Sequence, residues 1–226
     1  MATFLRPLSY QHQWLYDAIS RTAALSVGGE IRFRQLALAN MEVTRDMRVL
    51  DLCCGSGQTT QFLVQRSDHV TGLDASPKSI QRAKVNVPEA DYIEGWAEEM
   101  PLADCQFDVV HTSAAMHEMS PAQLQAIFRE VGRVLKPGGY FLMVDFHRPR
   151  NWLFWPGLAM FLWLFETETA WQLLKANLPQ KLRSAGLTVE KSELYAGGSL
   201  QVIQAEKWSV KGQGERGRVK GAGREV

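Results

Sequence analysis

Cysteine is scarce in this chain. Of 226 residues only 3 are Cys, and two of them, Cys53 and Cys54, are adjacent. That supplies neither a disulfide framework nor zinc-ligand spacing, and it suits a reducing compartment. An excess of either charge is also missing. Lys and Arg number 25, Asp and Glu 24, for a net charge of +1. This excludes a nucleic-acid protein driven by bulk positive charge and, equally, an acidic disordered chain. Long apolar runs are absent too. Residues 152–165 are the most apolar stretch, and Pro156 and Gly157 interrupt it. A membrane span needs about 20 apolar residues. No apolar core of signal-peptide length follows Met1, so a cytoplasmic location is expected. There is no internal repeat. With 46% hydrophobic residues, the chain is long enough to bury a sizeable core.

What is present is an alternation. Residues 8–40 are amphipathic and helical, and Gly28-Gly29 divides them into two helices. Beyond Thr44, short apolar runs alternate with helical periods. Strands are expected at 48–52, 70–74, 92–93, 107–111 and 140–144. Helices are expected over 58–65, from the Ser76-Pro77 cap to about Val85, and from the Ser120-Pro121 cap onward. The last of these carries Leu124, Ile127, Phe128, Val131 and Leu135 on one face, and Pro137-Gly138-Gly139 stops it. Residues 187–195 and 199–205 form a hairpin about Gly197-Gly198. Strands alternating with helices predict an α/β fold, a parallel sheet with helices on both faces. Residues 211–226 hold five Gly and five Lys or Arg without apolar periodicity, and read as a disordered basic tail.

The central feature is Val49-Leu-Asp-Leu-Cys-Cys-Gly-Ser-Gly57, between the first strand and the first helix of the sheet. Gly55 and Gly57 let a ligand approach the backbone at the carboxyl edge, where doubly wound folds bind ligands. Charge decides which ligand. Asp51 stands just before the loop, no Lys or Arg occurs from Val49 to Gln65, and no Gly-Lys-Ser/Thr sequence is present. Thr60 replaces the third Gly of the dinucleotide pattern. A phosphate would meet an uncompensated carboxylate here. A ligand with an ammonium and a sulfonium, such as S-adenosylmethionine, would be attracted. Asp74, ending the second strand, suits the hydroxyls of a ribose.

These motifs resemble the class I S-adenosylmethionine-dependent methyltransferases. Asp51-Leu-Cys-Cys-Gly-Ser-Gly57 is similar to their first motif, Asp74 to the acidic ribose ligand of the second, and Gly95-Trp-Ala-Glu-Glu-Met-Pro101 to the adenine-binding loop. The resemblance implies a doubly wound, mostly parallel seven-stranded sheet with an antiparallel C-terminal hairpin. It implies S-adenosylmethionine as cofactor, held by Asp51, Gly55, Gly57, Asp74, Ala75, Trp96 and Ala97. Trp96 departs from the Asp or Asn of many relatives. It cannot accept a bond from the adenine amine but offers a ring to stack on. The division of the chain is then a helical cap over 1–44, the methyltransferase domain over 45–209, and the basic tail over 210–226.

Arg133-Val-Leu-Lys-Pro-Gly-Gly-Tyr-Phe-Leu-Met-Val-Asp-Phe-His147 is similar to a signature of the ubiquinone/menaquinone C-methyltransferases, with Asp145 and His147 where those have Glu-x-Ser. A small, lipophilic aromatic acceptor is expected. Residues 152–165 hold six aromatics, with Arg148 and Arg150 just before them. Aromatics beside cations suit a lipid headgroup region, while a stretch of this length also suits a core helix. Peripheral membrane contact through 152–165 and burial in the core are both open. Methyl transfer is chiefly a positioning task, and a phenolic acceptor needs a base. His117 and His147 are the candidate bases, with Asp145 orienting one of them and Glu118 a further candidate. No metal site is expected, because His111, His117 and His147 lie on separate segments. No nucleic-acid partner is expected either. The alternatives are a nucleotide-dependent oxidoreductase, which the missing base and third Gly disfavour, and a non-catalytic S-adenosylmethionine-binding module.

Overall fold

The computed structural model describes residues 27–39 and 41–209. The first of the two expected N-terminal helices and the basic tail lie outside the described residues. The second begins at Glu30, after Gly28 and Gly29 at φ 95° and 105°, a backbone conformation in which Gly is favoured. It forms α1 (Glu30–Gln35) and a 3₁₀ turn (Leu36–Leu38) whose three residues are all buried.

The sheet strands are β1 (Arg48–Leu52), β2 (His69–Asp74), β3 (Asp91–Glu94), β4 (Phe107–Ser113), β5 (Leu135–Phe146), β6 (Leu187–Tyr195) and β7 (Leu200–Lys207). Their spatial order is β3-β2-β1-β4-β5-β7-β6. The first five run parallel, and β7 lies antiparallel between β5 and β6. The expected seven strands and closing hairpin are therefore present. The order reverses between β1 and β4, which opens a crevice at the carboxyl ends of these strands. Alternation along β1 separates two cores: Val49 faces a cluster with Val70, Val109, Leu142 and Val144, while Leu50 and Leu52 face the cluster containing Phe128 and Phe141.

The helices are α2 (Thr60–Leu63), α3 (Pro77–Asn86), α4 (Pro121–Val134), α5 (Trp155–Phe165), α6 (Glu168–Leu173) and α7 (Leu178–Ser184). Ser76 and Ser120 cap α3 and α4 through the amides of Ser79 and Gln123, and Gln123 completes a capping box. Two boundaries differ from expectation. Helix α2 covers four residues rather than 58–65, because the chain is still turning at Gly57 (φ 86°) and Ser67 ends the turn by bonding the Met47 carbonyl. Helix α4 stops at Val134, before Pro137-Gly138-Gly139. Pro137 disfavours helix at Lys136, whose ammonium grips both oxygens of Asp108, and the amides of Cys105 and Gln106 take the final carbonyls of Arg133 and Val134. Leu135 accordingly pairs with Phe107 as the first residue of β5.

Candidate active site

The turn after β1 is built on left-handed backbone at Cys53 (φ 58°) and Gly55 (φ 56°). A non-Gly residue at such a φ costs of order 1–3 kcal/mol and persists only where its surroundings hold it. Here the Cys54 amide donates to the Leu73 carbonyl and ties the turn to β2. The two loop glycines differ in kind. A Cβ on Gly55 would meet nothing within 4 Å, so its outer side is open to a ligand. A Cβ on Gly57 would lie 3.2 Å from Val87, so that glycine serves the packing against α3. Asp74 closes the loop from below: Oδ2 accepts from the Gly55 amide (2.9 Å) and Oδ1 from the Ser76 amide (2.9 Å). Ala75 beside it is exposed, Ala97 is buried, and Trp96 is 63% exposed, so its ring is on the surface and not in the core.

Asp51 has closer company than its sequence neighbours indicate. Its carboxylate is buried, Oδ2 accepts from the Thr60 hydroxyl (2.7 Å), and Oδ1 lies 3.2 Å from His111 Nδ1. The expectation of an acid with no basic neighbour is thus corrected. Parallel register places Asp51 of β1 beside His111 of β4, a proximity invisible along the chain. Thr60, which stands for a glycine, is the hydroxyl that fixes this acid. A cation, Arg34 of α1, reaches Gln58 at the end of the loop (2.6 Å). The field on the inner side of the loop is nonetheless negative. Burial pushes the Cys53 thiol far up, and Asp74, Glu118, Asp51 and Glu98 all push in the same direction. Burial, then Asp51, does the same to Cys54. Both thiols stay protonated and unreactive.

Across the crevice, Ala114 (φ 53°) turns the chain after β4 into the 3₁₀ turn Met116–Glu118. That turn aims two amides at the end of β5. Asp145 Oδ2 accepts from Met116 N (2.7 Å) and His117 N (3.2 Å), and Oδ1 from His117 Nδ1 (2.7 Å) and Phe146 N (2.7 Å). Asp145 is 1% exposed and His117 4%. The other ring nitrogen, Nε2, lies 3.5 Å from Glu166 Oε2, on the residue that follows α5. Burial works against a charged ring here, but Asp145 and then Glu166 outweigh it and hold the His117 pKa well above its ordinary 6.5. Of the three expected catalytic side chains, the structure joins Asp145 to His117. His147 goes elsewhere: its Nδ1 lies 2.9 Å from the Gly198 carbonyl, pinning the hairpin turn.

Glu166 escapes a reading by motif, because it belongs to none. The available signal was an acid closing a long apolar run. Among the described residues, His117 Nε2 and one oxygen each of Glu118 and Glu166 lie within 4.8 Å of one another. The expectation of no metal site rests on the histidines alone, and these two acids lie outside it.

A methyltransferase-domain profile matches residues 49–139. The chain is 60% identical over 205 residues to an uncharacterized methyltransferase of Synechocystis sp., covering 91% of this chain and 97% of that one. The chain belongs to the class I S-adenosylmethionine-dependent methyltransferases. A demethylmenaquinone methyltransferase of Listeria welshimeri is 31% identical over 142 residues, which span 59% of this chain and 58% of that protein. The fold matches that of an S-adenosylmethionine-dependent methyltransferase from Mesorhizobium loti with a TM-score of 0.60 at 20% identity, over 79% of this chain and 98% of that one. The cofactor of this methyltransferase is therefore S-adenosylmethionine, and the oxidoreductase alternative falls. The open space over Gly55, the Asp74 carboxylate and the negative field at Cys53 suit a nucleoside that carries positive charge.

Proposed function

We propose that this methyltransferase modifies a small, lipophilic aromatic acceptor of the prenyl-quinol kind, taken up along α5 from a membrane surface. The observation that carries this is the placement of α5. Its inner face packs Leu158 and Leu162 against Ala170 and Phe146. Its outer face and the preceding turn leave Trp152 77%, Trp163 51% and Met160 62% exposed. The inner face is a packing face, and the exposure of the outer face supports the reading of surface contact. Arg148 lies over the Trp155 ring at 5.9 Å, an aromatic–cation pair suited to headgroups. No helix among the described residues is long and apolar enough to cross a membrane, so contact would be peripheral. The helix ends at Glu166, beside His117. The likeness to a demethylmenaquinone methyltransferase supports the same acceptor class.

In this reading Gly55, Asp74, Ala75 and Ala97 hold the nucleoside, Trp96 stacks on its base, Gly57 shapes the turn, and Asp51 acts through its field. S-adenosylmethionine supplies a methyl group on a positively charged sulfur, and the carbon–sulfur electron pair stays with sulfur on transfer. Asp145 engages the Nδ1 proton of His117, so Nε2 is the nitrogen that exchanges a proton with the acceptor, once it has given up the proton that Asp145 and Glu166 hold on the ring. The acceptor hydroxyl gives its proton to Nε2, and the electron pair left on oxygen feeds the ring carbon or the oxygen that attacks. Because the acids around it favour protonation of His117, this ring is a stronger base than free imidazole. The test is transfer of labelled methyl from S-adenosylmethionine to a lipid extract. Label in a quinol fraction, lost in Asp145→Asn, is expected; label confined to water-soluble products would overturn the acceptor class.

A further inference from the structure

The aromatic helix reaches the His117 ring directly through Glu166 and, by packing, through Phe146. The Glu166 backbone amide donates to the Leu162 carbonyl (3.0 Å), so this residue moves with α5, and its carboxylate lies 3.5 Å from His117 Nε2. That carboxylate stands where the reading above requires the acceptor oxygen. We propose that Glu166 is a positioning residue that holds the acceptor's place on His117 and yields it when α5 engages a lipid surface, coupling surface contact to the readiness of the base. The proposal rests on His117 acting as the base.

Three observations converge on it. Asp145 is fixed by four donors and cannot leave His117, whereas Glu166 follows a helix whose outer face is exposed. Phe146 links the two sides, stacking tilted on the His117 ring at 4.6 Å and edge-on to Phe161 of α5 at 5.6 Å. A shift of α5 is thereby felt at the ring through packing as well as through charge. Lastly, among the described residues the charged groups set around His117 are acids: Asp145 from β5, Glu118 from its own turn, Glu166 from the end of α5, and Glu168 on the exposed side of α6, which packs against the turn. Removing one of two flanking carboxylates must therefore lower the affinity of the ring for its proton. An opposite charge at this range shifts a pKa by about one unit or more.

The experiment follows the His117 ring by NMR titration in the full chain, for wild type and the isosteric Glu166→Gln, with and without phosphatidylglycerol vesicles. The His117 midpoint should fall by about one pH unit in Glu166→Gln. Vesicles should lower it in the wild type and leave it in place in the variant. On the acid side of the rate profile, Glu166→Gln should gain activity by up to about tenfold; a purely structural glutamate would lose activity instead. A midpoint unmoved by Glu166→Gln overturns the assignment, as does vesicle binding without a shift in the wild type. If His117→Gln transfers methyl as fast as wild type, it is the base reading that fails, whatever Glu166 does.

Discussion

The two sides of the crevice are built differently. On the cofactor side, the loop groups come from short segments, namely the turn after β1, Asp74 with its own Ser76, and the loop after β3, which are tied across the sheet by bonds such as Asp74 to the Gly55 amide and Asp51 to His111. On the acceptor side, the contacts of the His117 ring span distant segments, with Asp145 meeting it at one nitrogen and Glu166 at the other. The cofactor side is also internally bonded, while the acceptor side is walled by a helix with exposed tryptophans. On the proposed assignment one side serves the cofactor and the other the acceptor, so damage to each should register in a different measurement.

The sharpest way to break the contrast is His117→Gln. Methyl transfer should fall by roughly 10²–10⁴, the usual contribution of a general base, with cofactor affinity unchanged in calorimetry. A parallel loss of affinity would merge the two sides. Asp74→Asn should do the converse, weakening S-adenosylmethionine about tenfold or more through loss of charge-assisted bonds, with kcat at saturating cofactor little altered. Trp155→Ser with Trp163→Ser should reduce co-sedimentation with anionic vesicles several-fold while the melting temperature stays near that of wild type, since these rings are substantially exposed. Unchanged co-sedimentation would make α5 an ordinary packing element.

The smallest effect is on stability against pH. His117 has a folded-state pKa above its unfolded 6.5, so its contribution is fully present below about pH 6.5 and is lost as pH rises through the folded value. Denaturant titrations should show wild type losing stability across that window, and His117→Gln should flatten this part of the curve. A wild-type curve already flat there would show that the acids do not hold the proton.

The same contrast governs what the amino-acid sequence discloses. Both serine caps, the five parallel strands and the closing hairpin announce themselves through local residue pattern. So do Asp74 and the glycine turn, because a backbone bend and its caps are set by neighbours in the chain. The end of α4 is not legible locally, because Lys136 and Asp108, twenty-eight positions apart, help to settle it. His111 beside Asp51 is a matter of strand register, which no single strand contains. Glu166 is further still from legibility, since it reaches the site only by the packing of an entire helix.

Strand β7 lies between β5 and β6, although it follows both in the chain. During synthesis β6 therefore emerges with no neighbour to join, and it must wait for Leu200–Lys207 before it enters the sheet. Asp145 needs only β4 and its turn to meet His117, whereas His147 reaches the Gly198 carbonyl only when the hairpin arrives. The ribosome thus delivers the partners of the His117–Asp145 pair first and the outer edge afterwards.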